Sequence, residues 1–291
     1  MIVAKLRGRL GNQMFQYAVA RALAARVETE TKLDASWIEH PEASDGRRYE
    51  LRPFALDVDL AHVRTFARLP VARRVLRPLQ RALPRRRPFL RVIREPNTFA
   101  FVPQVVTAGD GVYLDGFWQS EDYFADQAAL IRRELNIPRP VRESAVGLAE
   151  DIERETSVSM HVRRGDYLTA KVSSLLTPLP IDYYHRGLDV VVGKVGPCRT
   201  FVFSDDPDWC EQQLRLDDSA VIVRNDGQSA PLEDLYLMSR CNHHIIANSS
   251  FSWWGAWLDP SPEKVVVAPR RWFNDPALAS APRVPRNWVA I

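Results

Sequence analysis

The chain has 291 residues, is 46% hydrophobic and 26% charged, and carries a formal net charge of +3. That composition excludes a disordered chain, a collagen-like fibre and a disulfide-knotted miniprotein, and the length suits two domains of ~150 residues each. The small net charge conceals a run from Arg64 to Arg94 with eleven arginines and no Asp, Glu or Lys, which leaves −8 on the other 260 residues.

In chain order, residues 2–6 form a short apolar run that reads as a strand, and Gly8-Arg9-Leu10-Gly11-Asn12 reads as a tight glycine turn. Residues 13–27 then carry Met14, Tyr17, Ala18, Leu23 and Ala24 near helical spacing, the opening of an α/β unit. Residues 113–118 predict a further strand and 126–135 a helix; Arg139 and Pro140 read as a linker. In the second half, strands are predicted at 157–162, 200–203, 220–223, 244–247 and 264–268. Helices are predicted between them at 183–192, 208–214 and 232–241. Such alternation argues for a parallel sheet with helices on both faces.

Polar clusters follow four of those strands: His161 to Asp166, Ser204-Asp205-Asp206, Asn225-Asp226, and Asn248-Ser249-Ser250. In an open α/β sheet the carboxyl edge of the strands is where ligands bind. Arg163 and Arg164 offer planar forks of donors suited to phosphate oxygens; the competing use is a salt bridge to Asp166. One arginine is expected to face the ligand while the other supports the loop. Asn248, Ser249 and Ser250 precede an apolar run, so their hydroxyls and amides suit either phosphate at a helix start or plain capping. Trp253, Trp254 and Trp257 are expected in the core rather than on a sugar-stacking surface. Asp205 and Asp206 are adjacent in one loop, which fits a hydrolase pair poorly because such carboxylates flank a scissile bond. Asp57 and Asp59 have the spacing of a metal-binding pair but sit in an apolar run. Cys198, Cys210 and Cys241 match no metal-ligand pattern. With neither a signal peptide nor an apolar run of ~18–20 residues, a cytoplasmic protein is expected.

Taken together, Gly8-Arg9-Leu10-Gly11-Asn12-Gln13-Met14-Phe15-Gln16-Tyr17, Asp115-Gly116-Phe117-Trp118-Gln119-Ser120, His161-Val162-Arg163-Arg164-Gly165-Asp166-Tyr167, Phe203-Ser204-Asp205-Asp206 and Asn248-Ser249-Ser250-Phe251-Ser252-Trp253-Trp254-Gly255 occur in that order. This set resembles the bacterial α-1,2-fucosyltransferases of glycosyltransferase family 11. The resemblance runs from residue 1 to about 272 and leaves out the arginine-rich run.

The resemblance implies a GT-B-like α/β fold, two Rossmann-like domains with the active site in the interdomain cleft. Residues 1–140 would be the acceptor-side domain, with an arginine-rich insertion at 64–94, and residues 155–291 the GDP-sugar domain. It implies inverting transfer of fucose from GDP-β-L-fucose to the 2-hydroxyl of a terminal galactose, in a bacterial surface polysaccharide or O-antigen unit, with no metal cofactor. By the same likeness Arg163 and Asp166 are the catalytic candidates. Asn12, His161, Arg163, Arg164, Ser204, Asp205, Asp206, Asn248, Ser249, Ser250 and Phe251 are donor-binding candidates. Gln119, Ser120 and Glu121 are acceptor-side candidates, and Asp115, Glu121 and Asp166 are the carboxylates weighed as a general base. The alternatives are another GDP-sugar-dependent GT-B transferase and a non-catalytic sugar-binding protein. The arginine-rich run fits either a solvated helical insertion or peripheral contact with the anionic inner membrane; nucleic-acid binding has no support elsewhere in the chain.

Overall fold

The computed structural model describes residues 1–38, 48–60, 91–137, 142–225, 227, 230–278 and 283–291. The predicted linker at 139–140, Asp226 and most of the arginine-rich run therefore lie outside the described residues. The chain divides into two compact units, Met1–Ile131 and Arg132–Ile291.

The first unit holds β1 (Ile2–Lys5), β2 (Thr31–Asp34), β3 (Asp59–Leu60), β4 (Arg91–Arg94) and β5 (Val112–Asp115). They form one sheet in the order β3-β2-β1-β5-β4, and every pairing is parallel. Helix α1 (Leu10–Arg26) buries nearly its whole circumference, from Leu10 through Ala24. Its two buried glutamines are satisfied by backbone carbonyls, Gln13 Nε2 donating to Gly8 O and Arg48 O and Gln16 Nε2 to Gly116 O. It starts three residues before the predicted point: the Leu10 N–H donates to Glu50 Oε2 at 2.8 Å, an end cap supplied from forty residues away. The strand predicted at 113–118 stops at Asp115, because Trp118 takes a left-handed φ of 57° that no strand accommodates. Residues 91–94 of the arginine-rich run form β4, a sheet strand rather than part of a helical insertion. Helix α2 (Pro103–Val106) precedes β5, and α3 (Ala128–Glu134) runs across the division at Ile131.

The second unit opens with α4 (Glu143–Arg154), whose Ala145, Ala149 and Ile152 face inward at helical spacing. Its strands are β6 (Ser157–Val162), β7 (Arg199–Ser204), β8 (Val221–Ile222), β9 (His243–Ile245), β10 (Val266–Ala268) and β11 (Val289–Ala290). The order is β11-β10-β9-β6-β7-β8, all parallel. Central β6 is buried at all six positions, as a parallel strand covered on both faces must be. Helices α5 (Ala170–Ser173), α6 (Ile181–Val195), α7 (Pro207–Gln213), α8 (Ala230–Arg240) and α9 (Ser250–Leu258) connect them. Trp253, Trp254 and Trp257 of α9 are buried and mutually packed, with ring centroids 5.0–5.9 Å apart. Beneath the sheet, Ser159 Oγ lies 2.9 Å from His244 Nδ1, and His244 Nε2 lies 3.2 Å from Asp259 Oδ2. This Ser-His-Asp line is buried throughout and ties β6 and β9 to the end of α9; it is a core network.

Candidate active site

In the second sheet the chain winds outward one way from β6 to β7 and β8, and the other way through β9 to β11. Connections therefore diverge between β6 and β9, and the crevice at their carboxyl ends is the position where such sheets take ligands.

The parallel register sets His161 beside Phe203 and Val162 beside Ser204, so the residues that follow both strands emerge side by side. Arg163 Nη1 reaches Asp205 Oδ2 at 3.1 Å, and its Nε and Nη2 reach Asp166 Oδ1 at 3.0 and 2.9 Å. The backbone N–H of Arg164 donates to Asp205 Oδ1 at 2.9 Å. The Arg164 side chain donates to Asp206 Oδ2 at 3.1 Å and lies 3.8 Å over the Trp209 ring. Asp206 also caps α7: its Oδ1 accepts from Trp209 N at 3.3 Å, while its own N–H donates to Ser204 Oγ. Arg164 is thus a loop support held on two sides.

The pairing weighed from sequence, Arg163 with Asp166, exists here, and Asp205 joins it. Asp205 and Asp206 serve first to hold the two arginines. Gly165 is required between them, because a Cβ there would lie 2.7 Å from Asp205 Oδ2.

On the β9 side, the Asn248 side-chain amide donates to Thr177 O and Trp272 O at 3.2 and 3.1 Å, and the Asn248 backbone carbonyl accepts from the Tyr167 hydroxyl at 2.8 Å. Ser249 caps α9 by accepting from Phe251 N at 3.3 Å. Capping does not exclude ligand contact: the same turn leaves the amide-rich N-terminus of a nine-residue helix at the sheet edge, starting at Ser250. The Phe251 ring packs 5.7 Å from that of His161. His161 is buried, and burial together with the Arg163 charge pushes its imidazole down to about 3, so it is neutral at physiological pH. His161 Nδ1 and Asn248 Oδ1 are buried polar atoms without a hydrogen-bond partner among the described residues.

Eleven predicted residues therefore converge on one edge of this unit: His161, Arg163, Arg164, Asp166, Ser204, Asp205, Asp206, Asn248, Ser249, Ser250 and Phe251. Asn225 does not: its side chain bonds Arg142 and Asp234 near α8. In the first unit, Gln119 Nε2 donates to Asn12 Oδ1 at 2.6 Å, linking the glycine turn to the loop after β5. Ser120 caps the short 3-10 turn Glu121–Tyr123 by accepting from Asp122 N. Trp209 is not marked in the sequence reading; its signal is its place three residues after the capping Asp206. Tyr167 closes the motif that starts at His161, but its role is not legible there, because its partner is a backbone carbonyl eighty-one residues away.

The all-parallel α/β units and this edge define a GT-B-type glycosyltransferase fold, and solved structures agree. The fucosyltransferase NodZ from Bradyrhizobium superposes with a TM-score of 0.52 at 17% identity, over 89% of this chain and 92% of that one. The sequence profile described as Glycosyl transferase family 11 matches residues 103–291. An Escherichia coli alpha-1,2-colitosyltransferase is 32% identical over 100% of this chain and 99% of its own length. The O-antigen biosynthesis glycosyltransferase WbnK, also from Escherichia coli, is 30% identical over 92% of this chain and 93% of its own. Human galactoside alpha-(1,2)-fucosyltransferase 1 is 29% identical over 86% of this chain and 63% of its own. The chain belongs to glycosyltransferase family 11 and is a glycosyltransferase.

Proposed function

We propose that the protein is an inverting galactoside α-1,2-fucosyltransferase that uses GDP-β-L-fucose and acts on a terminal galactose of a surface polysaccharide or O-antigen unit. The observation that carries this reading is Arg163 at the strand switch, together with the N-terminus of α9. The α-1,2 linkage named in the relatives supports it.

In the reaction, the galactose 2-hydroxyl oxygen bonds to the anomeric carbon as the bond from that carbon to the phosphate oxygen breaks. The bonding pair leaves with GDP, and the hydroxyl proton passes to a carboxylate or to water. Negative charge grows on the leaving phosphate, and fixed donors stabilise it most where they are already oriented. Arg163 is so oriented by Asp166 and Asp205, and the α9 amides add a second set. Asp166 holds the guanidinium and is also a carboxylate at the reacting edge. Neutral His161 supplies a hydrogen bond without adding charge. The unit Arg132–Ile291 takes the donor role and Met1–Ile131 the acceptor role.

A second donor is favoured by the full-length likeness to a colitosyltransferase. Colitose is L-fucose without its 3-hydroxyl, so the two donors differ by one polar group. The test is a donor panel of GDP-fucose, GDP-colitose, GDP-mannose and UDP-galactose, with lactose as acceptor and with and without EDTA. Fucosyl product from GDP-fucose, unchanged by EDTA, is the expected result. Transfer only from GDP-colitose replaces the donor, and EDTA inhibition overturns the metal-free reading.

The arginine-rich run, with its interleaved leucines and valines, supports peripheral contact with an anionic membrane surface. No helix among the described residues is long and apolar enough to cross a membrane. Flotation with anionic against neutral liposomes tests the contact, and absence of binding to both retires it.

A further inference from the structure

The donors at the second sheet's edge come from two stretches of chain that diverge before they reach it. Strands β6 and β9 pair in register from Val158 with His243 to Met160 with Ile245. Beyond that rung β6 stays with β7, setting Val162 beside Ser204. The chain after β9 turns to β10 instead, the Ile246 N–H donating to Val267 O at 2.9 Å. Arg163 follows one branch and the start of α9 follows the other. A diphosphate that draws on both sets of donors needs the spacing between the branches to be fixed.

Tyr167 crosses this gap. It is the middle residue of a 3-10 turn, Asp166–Leu168, in which Leu168 N donates to Arg164 O at 3.2 Å and Thr169 N to Asp166 O at 3.1 Å. Asp166 and Leu168 are exposed, whereas Tyr167 between them is buried. Its hydroxyl donates to the Asn248 backbone carbonyl at 2.8 Å. The far end of that bond is anchored, because the Asn248 side-chain amide is tied to Thr177 O and Trp272 O, and the next residue, Ser249, caps α9. The near end is the turn that carries Asp166, the carboxylate that holds Arg163. The Arg163 guanidinium also lies 5.8 Å from the Tyr167 ring centroid, at the outer reach of a cation–π contact. Burial pushes the phenol far above its ordinary pKa, so the hydroxyl keeps its proton and donates throughout the physiological range.

A buried phenol between two loops also has a plain structural use: its ring fills space. The two uses separate atom by atom. Filling space depends on the ring, and fixing the spacing depends on the one oxygen.

We propose that Tyr167 is a positioning residue whose hydroxyl ties the Arg163 turn to the start of α9 and so sets the spacing at which both face one phosphate group. It acts through Arg163, so its effect vanishes when Arg163 is absent. The proposal rests on the transferase reading above and is tested on GDP binding, which needs no transfer. GDP affinity is measured by titration calorimetry for wild type, Tyr167→Phe, Arg163→Ala and the double variant, each beside a thermal melt. Tyr167→Phe keeps the ring and removes the oxygen. It is expected to weaken GDP binding about 10-fold, as for loss of a hydrogen bond to a charged group. The melting temperature is expected to fall by no more than about 4 °C. In the Arg163→Ala background the same change is expected to weaken GDP binding less than about 2-fold, because groups that act through one another are not additive. A second measurement, hydrogen exchange read by mass spectrometry, is expected to show faster exchange in Tyr167→Phe at residues 164–169 and 249–252 together. Wild-type GDP affinity in Tyr167→Phe overturns the proposal. So does an equal loss in both backgrounds, which makes the hydroxyl a general tie, or faster exchange on one side alone. Absence of GDP binding by wild type overturns it as well. If GDP binds and the variants couple as expected while no fucose is transferred, the fucosyl-donor reading fails and the positioning role stands.

Discussion

Replacing Arg163 with alanine separates a chemical role from a structural one. The Arg163 side chain is 26% exposed, and its partners Asp205 and Asp166 are 25% and 48% exposed. Pairs this open to solvent stabilise a fold by about 1 kcal/mol or less. Asp205 keeps its bond from the Arg164 backbone, so Arg163→Ala leaves no carboxylate stranded in the core. The melting temperature should then fall by about 2–4 °C. The reaction loses more. A preorganised donor facing developing negative charge contributes roughly 3–4 kcal/mol, so kcat should fall about 100- to 1000-fold. Arg163→Lys should recover only part of this, because an ammonium keeps the charge and loses the planar fork. The assay is GDP release at saturating GDP-fucose and lactose, run beside a thermal melt. A kcat within about 5-fold of wild type would refute the role assigned to Arg163. A melting temperature lowered by more than roughly 10 °C alongside lost activity would instead make the arginine a structural tie.

Gly165→Ala should leave the far-ultraviolet circular dichroism unchanged and lower kcat/KM about 100-fold, because the new methyl displaces Asp205 and misplaces Arg163; near-wild-type activity would show that Asp205 does not orient the clamp. Trp254→Ala should cost about 3–5 kcal/mol in urea denaturation, since the ring is fully buried between Trp253 and Trp257; a stable variant with a raised acceptor KM would favour a sugar-stacking role. His161, which stays neutral down to about pH 3 when folded, takes up a proton near pH 6.5 when unfolded, so the unfolded state binds more protons in between. Stability is therefore fully present above pH 6.5 and is lost as pH falls, by up to about 1.4 kcal/mol per pH unit from this group. His161→Asn should reduce the slope of unfolding free energy between pH 5.5 and 4.5 by about that amount, and an unchanged slope would refute the assignment.

Much of the second unit was legible because its strands are apolar and its polar clusters recur at strand ends. The first unit was harder to read. Strands β2, β3 and β4 are two to four residues long and carry Lys32, Asp59, Arg91 and Arg94, so no apolar run marks them. They are strands because β1, β2 and β5 offer them hydrogen-bonding edges. Helix α4 was legible but not predicted: Ala145, Ala149 and Ile152 recur at helical spacing.

The sequence by itself determined the class of fold, the motif order that places the chain in its family, and the set of polar residues at the second sheet's edge. These are local properties: periodicity, glycine at tight turns, hydroxyl and acidic residues at helix starts. The tertiary structure decided how those residues are used. Register between β6 and β7 set Arg163 against Asp205, the Trp209 face and Asp206 fixed Arg164, and the Tyr167 hydroxyl met Asn248 across the divergence of β6 and β9. Each of these is a contact between distant stretches of chain, and no local pattern encodes the distance it spans.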